Sequence, residues 1–211
     1  MRSGRLSDGI DILESIPESS QFQFVSQIGR TFSETALEIS QGTTYGEVAS
    51  ILQRIVREDD LQHLMIQLLS AIGPYHAKVT CGPIEYGKDI IAVIDDKGIP
   101  TLHLYALKVG DIDASKWRAA KEAIDQMFTV PVDNPLVKQY APAKTCGFLV
   151  FNGHFNQHID PVATAWFAEL RSSKGWNLTV LDLDGLSKWI VTQRLVRVLE
   201  EFSRELCSRQ G

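Results

Sequence analysis

Two apolar runs, Ile90 to Ile94 and Leu102 to Leu107, flank a polar tip at Asp95-Asp96-Lys97-Gly98, and no other feature constrains the fold as tightly. β-Branched and aromatic residues recur in both runs, and a tip of this composition between them signals an antiparallel hairpin. Asp89 opens the first run and Lys108 closes the second, so the hairpin brings an acid and an ammonium group to the same open end. Side chains alternate along a strand, so Leu104, Ala106 and Lys108 are expected on one face and His103, Tyr105 and Leu107 on the other.

The flanking periodicities build outward from the hairpin. Leu61, Leu64, Met65, Leu68, Leu69 and Ile72 recur at spacings of three and four, which predicts an amphipathic helix begun by Glu58, Asp59 and Asp60 and stopped by Gly73-Pro74. A strand is expected over His76 to Cys81, before the hairpin strands Asp89 to Ile94 and Leu102 to Lys108. Ser115 is a plausible cap for a helix whose face carries Trp117, Ala120, Ile124, Met127 and Phe128. Strands over Gly147 to Asn152 and Leu178 to Leu183 alternate with helices over Pro161 to Ser172 and Leu186 to Leu206. That order predicts an α/β sandwich with a mixed sheet flanked by helices. Before it, Phe22 to Ile39 and Tyr45 to Val56 read as helices, giving a helical appendage over residues 1–56 and an α/β domain over 57–211.

Residues 82 to 112 carry a resemblance. The stretch Gly82-Pro83-Ile84-Glu85-Tyr86-Gly87-Lys88-Asp89, then a hairpin ending at Lys108, is similar to the PD-(D/E)xK nuclease superfamily and its restriction-endonuclease-like, Mrr-type branch. The resemblance implies an αβββαβ core, matched over about residues 58 to 190, and hydrolysis of DNA phosphodiester bonds with Mg²⁺ or Mn²⁺. It implies Asp89 as metal ligand and Lys108 as the lysine that helps activate water, in defence against foreign DNA or in DNA processing. The chain departs from the pattern at two places. Ala106 stands where such nucleases carry Glu or Gln, and alanine can neither ligate a metal nor hold a water. The first core helix offers Gln62, His63 and Gln67 where many relatives have a Glu, and Glu58 at its start reaches inward only if the helix tilts that way. Glu85 is the nearest spare carboxylate and the candidate second ligand, and Lys88 is the candidate phosphate contact.

The chemistry explains the residue types without the family. Phosphodiester hydrolysis needs a hard cation on oxygen ligands, an activated water, and positive charge near oxygens that become more negative. One carboxylate and one lysine meet part of that demand. Each also has a bland reading: an Asp at the head of a strand caps it, and a Lys at its end is a solvated edge charge. A second function therefore stands beside the nuclease, a catalytically inactive subunit of the same fold that binds protein or DNA in a larger complex.

Charge and cysteine content narrow the field. The net charge is −5, and residues 1–60 hold five Lys or Arg against ten Asp or Glu, so the rest of the chain is neutral. A neutral domain binds DNA weakly and in a salt-sensitive manner unless it gathers a local basic patch. Three cysteines, Cys81, Cys146 and Cys207, oppose a disulfide framework and a zinc site. No apolar run is long enough to span a bilayer and no signal peptide is evident, so a soluble, cytoplasmic protein is expected. His154 and His158 read as turn residues and Asp184 as a helix cap. The apolar stripe of the last helix, beyond Val196, and the N-terminal segment are candidate surfaces for a protein partner or homodimer.

Overall fold

The computed structural model describes residues 45–73, 76–79, 86–96, 98–133 and 135–210. A helical segment over 45–52 leads into α1 (Glu58–Ile72), β1 (His76–Val79), β2 (Ile90–Asp96) and β3 (Ile99–Lys108). Then come α2 (Ala114–Thr129), a short α3 (Pro135–Tyr140), β4 (Lys144–Phe151), α4 (Asp160–Glu169) with a π-helical turn (Leu170–Lys174), β5 (Leu178–Leu181), α5 (Leu183–Thr192) and α6 (Val196–Gln210). The expected helix over Phe22 to Ile39 lies outside the described residues.

The strands form one mixed sheet in the order β1-β2-β3-β4-β5. β1, β2 and β3 pair antiparallel, whereas β3, β4 and β5 pair parallel through the crossovers that α2 and α4 supply. The hairpin forms as expected, with Ile90 opposite Tyr105 and Asp96 opposite Ile99. Gly98 has φ 86°, the left-handed conformation that so tight a connection demands and that glycine alone adopts without strain.

Alternation sorts the sheet into two cores. On one face Ile90, Ala92, Tyr105, Leu107 and Val150 pack against α1, α5 and α6. On the other, Ile91, Val93, Leu104, Ala106, Leu149 and Phe151 pack against α2 and α4. Apolar side chains dominate both cores, so the sheet is the inner layer of an α/β sandwich. Val48, Leu52 and Ile55 are fully buried in the first core beside Leu61 and Leu64. The compact unit accordingly runs Tyr45–Gly211, and the division expected between 56 and 57 falls inside it.

Three local readings are corrected. Asp113, not Ser115, caps α2: its carboxylate accepts from the Ser115 and Lys116 amides, both at 2.9 Å. Asp182, not Asp184, caps α5, accepting from Gly185 N at 2.8 Å. The helix expected from Leu186 to Leu206 is two helices, divided at Gln193 and Arg194, where Arg194 takes φ 58°. That turn lets Leu195, Leu199, Phe202 and Leu206 enter the first core, so the stripe expected to meet a partner is filled from within the chain.

Because Phe202 is 1% exposed and packs among these core residues, Phe202→Ala is expected to cost about 3–5 kcal/mol in denaturant unfolding. A loss below about 0.5 kcal/mol, the ordinary range for surface positions, would return the stripe to the surface.

Candidate active site

β2 begins one residue after Asp89, and the ladder between the hairpin strands would leave the Tyr105 carbonyl and the Leu107 amide of β3 unserved there. Asp89 serves both. Its own N–H donates to Tyr105 O at 2.8 Å, and its Oδ2 accepts the Leu107 amide at 2.5 Å. The strand-capping reading of Asp89 is thus realised, and it places the carboxylate against the backbone one residue before Lys108.

Lys108 closes β3, where the sheet gives way to solvent. Its ammonium donates to Leu107 O at 2.7 Å and to Glu58 Oε1 at 3.2 Å. Glu58 is the first residue of α1, so the helix does bring an acid to the hairpin end. Two acidic residues in its first turn, Asp59 and Asp60, complement the helix dipole and leave Glu58 to turn toward Lys108. The Lys108 side chain is 19% exposed and that of Glu58 is 48%, so water screens the pair and it contributes at most about 1 kcal/mol to stability. Its consequence is positional: an acid from α1 and a lysine from β3 meet where Asp89 of the β2 strand end is anchored.

The other candidates fall elsewhere. Ala106 is fully buried in the second core with Leu104, Trp117, Ile124 and Leu149, so the position where the sequence resemblance would put a second acid is closed by apolar packing. Lys88 turns inward and is 3% exposed, its ammonium donating to Tyr86 O at 3.2 Å and to Gln126 O at 3.4 Å near the end of α2. Burial lowers its pKa below the ordinary lysine value. The role of phosphate contact does not suit a side chain held in this way. Gly87 makes the inward turn possible: at φ 71° it lies so close to α2 that a Cβ would stand 2.0 Å from Ala123 O. Glu85 lies outside the described residues. His154 and His158 sit in the turn after β4, and the His154 amide donates to Asp111 Oδ1 at 2.8 Å.

Among the described residues no group of three or more His, Cys, Asp or Glu side chains comes together as a metal site. The donors at the hairpin end are hard carboxylate oxygens. Mg²⁺ binds through one or two such groups and keeps several waters, so Asp89 and Glu58 suit it by chemistry without forming a closed cage. Glu58 was legible only as a helix-start acid, because no periodicity reports the tilt that aims it at Lys108.

No family model matches this chain, and no curated protein is significantly similar to it. Two solved structures overlap it in part. The MspJI restriction endonuclease in complex with a 27-mer oligonucleotide is 11% identical with a TM-score of 0.44, covering 79% of this chain and 35% of that one. Restriction endonuclease FokI bound to DNA is 15% identical with a TM-score of 0.42, covering 76% of this chain and 29% of that one. This chain thus spans about a third of each. No helix among the described residues is long and apolar enough to cross a membrane.

Ala106→Glu would push a carboxylate under α2 with no polar partner in that core. The expected result is a loss of about 2–4 kcal/mol in thermal or chemical unfolding with no gain in Mn²⁺ affinity by calorimetry. A stable variant that binds Mn²⁺ more tightly would show that position 106 still opens onto a metal site.

Proposed function

We propose that this domain is a restriction-endonuclease-like phosphodiesterase acting on DNA, with Asp89, Glu58 and Lys108 as its working residues. The observation that carries the reading is the 3.2 Å contact between Lys108 Nζ and Glu58 Oε1 at the strand end where the Asp89 carboxylate is fastened to the Leu107 amide. Acid from a strand head, acid from a helix start and lysine from the paired strand supply the groups that the hydrolysis needs. Asp89 and Glu58 would hold Mg²⁺ or Mn²⁺, with Glu85 as a third donor; the ion, when bound, supplies charge to the phosphate oxygens and lowers the pKa of its water. Lys108 donates only, so its part is to stabilise negative charge on the phosphate as the bond breaks. To do so it must exchange Glu58 for the phosphate. With a net charge of −5, the lone chain is expected to hold DNA weakly and to release it as salt rises.

A second reading rests on Ala106. Its burial in an apolar core removes the in-strand acid, which suits a nuclease-fold subunit that binds DNA or protein in a larger complex without cutting.

Supercoiled plasmid and linear DNA, incubated with the purified chain in Mg²⁺ or Mn²⁺ and with chelator as control, separate the two. The expected outcome is metal-dependent cleavage that falls about 10²- to 10³-fold in Lys108→Ala while Mn²⁺ binding by calorimetry persists. Asp89→Asn is the better probe of the acid, because its amide oxygen can still accept from Leu107 N–H: cleavage should vanish with little change in melting temperature. If the unmodified chain and Asp89→Asn retard DNA equally and neither cuts it, the binding-subunit reading replaces the enzyme.

A further inference from the structure

We infer that Asn152 is a positioning residue that holds Glu58 against Lys108, an inference that rests on the reading of these two as working residues. Asn152 follows β4 and is 3% exposed, one of the few polar side chains in the interior. Its Oδ1 accepts the Gly110 amide at 2.7 Å, and its Nδ2 donates to Leu52 O at 2.7 Å and Ile55 O at 2.8 Å. All the hydrogen-bonding capacity of its NH₂ group is used, and the pattern fixes the orientation of the amide: turned over, it would set donor against donor at Gly110 and oxygen against two carbonyls.

The three bonds join the two stretches of backbone that carry the ion pair. Gly110 stands two residues after Lys108, and Ile55 three residues before Glu58. Leu52 O closes the last turn of the helical segment by accepting the Ile55 amide at 3.1 Å, and the Asn152 amide adds a second donor to that carbonyl and one to Ile55 O just beyond it, so Asn152 clasps the segment's end. From there the chain passes through Val56 and Arg57 into α1. A single rigid side chain thereby fixes where α1 starts relative to where β3 ends. Over this joint opens a cleft of about 680 Å³, lined by Glu58, Gly110, Asp111, Lys116 and Asn152 among others. It lies beyond the carboxyl ends of β3 and β4, where open α/β sheets receive ligands. Asn152 touches neither Glu58 nor Lys108 through any of these bonds, so its influence on them passes through backbone.

The test reads the ion pair itself, by the rate at which acetic anhydride acetylates Lys108 in the folded chain, measured by mass spectrometry. The ammonium must leave Glu58 to react. Glu58→Gln should therefore raise the rate about two- to fivefold, the scale of a partly screened ion pair. Asn152→Asp keeps an acceptor for Gly110 N–H and loses both donors, and Asn152→Ser shortens the side chain with little loss of polarity; each should reproduce most of that rise. Ile124→Val, buried on the opposite face of the sheet, controls for general destabilisation and should leave the rate unchanged. In the cleavage assay the Asn152 variants should lose kcat with KM for DNA near that of the unmodified chain. Acetylation of Lys108 unchanged in both Asn152 variants, or raised equally by Ile124→Val, overturns the inference. A chain that cuts no DNA but whose Asn152 variants free Lys108 would instead overturn the nuclease reading and leave the joint intact.

Discussion

The rest of the structure depends on the register between β2 and β3. β3 is bonded along both edges, to β2 antiparallel and to β4 parallel, and its side chains feed both cores. With Ile90 opposite Tyr105, Tyr105 and Leu107 face α1 while Leu104 and Ala106 face α2. A slip of one residue would exchange the two sets and carry Asp89 away from the Leu107 amide. Packing on both faces resists that slip, and the two-residue connection ending at Gly98 leaves it no slack. The position of the site is therefore a consequence of core packing, although none of its charged groups lies in the core.

The candidate site occupies the place where the ladder runs out. Asp89 takes the Leu107 amide, and Lys108 folds back on the Leu107 carbonyl, so a single peptide group on each side of Leu107 is satisfied by a charged side chain. These are the same groups that the proposed chemistry uses. Capping and function are then two uses of one carboxylate, and a truncation of Asp89 would disturb both. Lys88 shows the contrasting case. Turned toward the end of α2, it secures the approach to β2 through carbonyl contacts and stands apart from the open end.

Much of this was legible because it follows from periodicity. The hairpin, the helix from Glu58, the order of strands and helices, and the placement of Asp89 and Lys108 at one end are all consequences of spacing by two or by three and four. What escaped depends on chain direction in three dimensions. The division at Arg194 is invisible because apolar residues continue at a spacing of four across the turn, from Val191 through Leu195 to Leu199. Each cap escaped by two positions because Asp113 and Ser115, like Asp182 and Asp184, are all residues that favour such sites. Residues 45–56 looked like an appendage, being an amphipathic stretch beside an acidic segment, whereas Val48, Leu52 and Ile55 complete the core under α1. The inward turn of Lys88 needed the contact between Gly87 and Ala123, which no local pattern announces.

Ala106 and Glu58 are best understood together. An acid at 106 would lie beneath α2 among Leu104, Trp117 and Ile124, where a carboxylate meets a desolvation cost that no neighbouring donor offsets. An acid at 58 meets no such cost, since it stands at the rim of the sheet with nearly half its side chain in water. The hairpin end can thus have a second carboxylate without opening the core, provided that the start of α1 is held close to the end of β3. That condition is not met by the ion pair alone, whose worth is small in water. It is met by the amide of Asn152, which is 3% exposed and so largely shielded from competing water, and by the apolar contacts of Leu52 and Ile55 that bring their carbonyls to it. A weak exposed contact between Glu58 and Lys108 is therefore specified by a strong buried one, and the acid that the strand lacks is supplied from the helix.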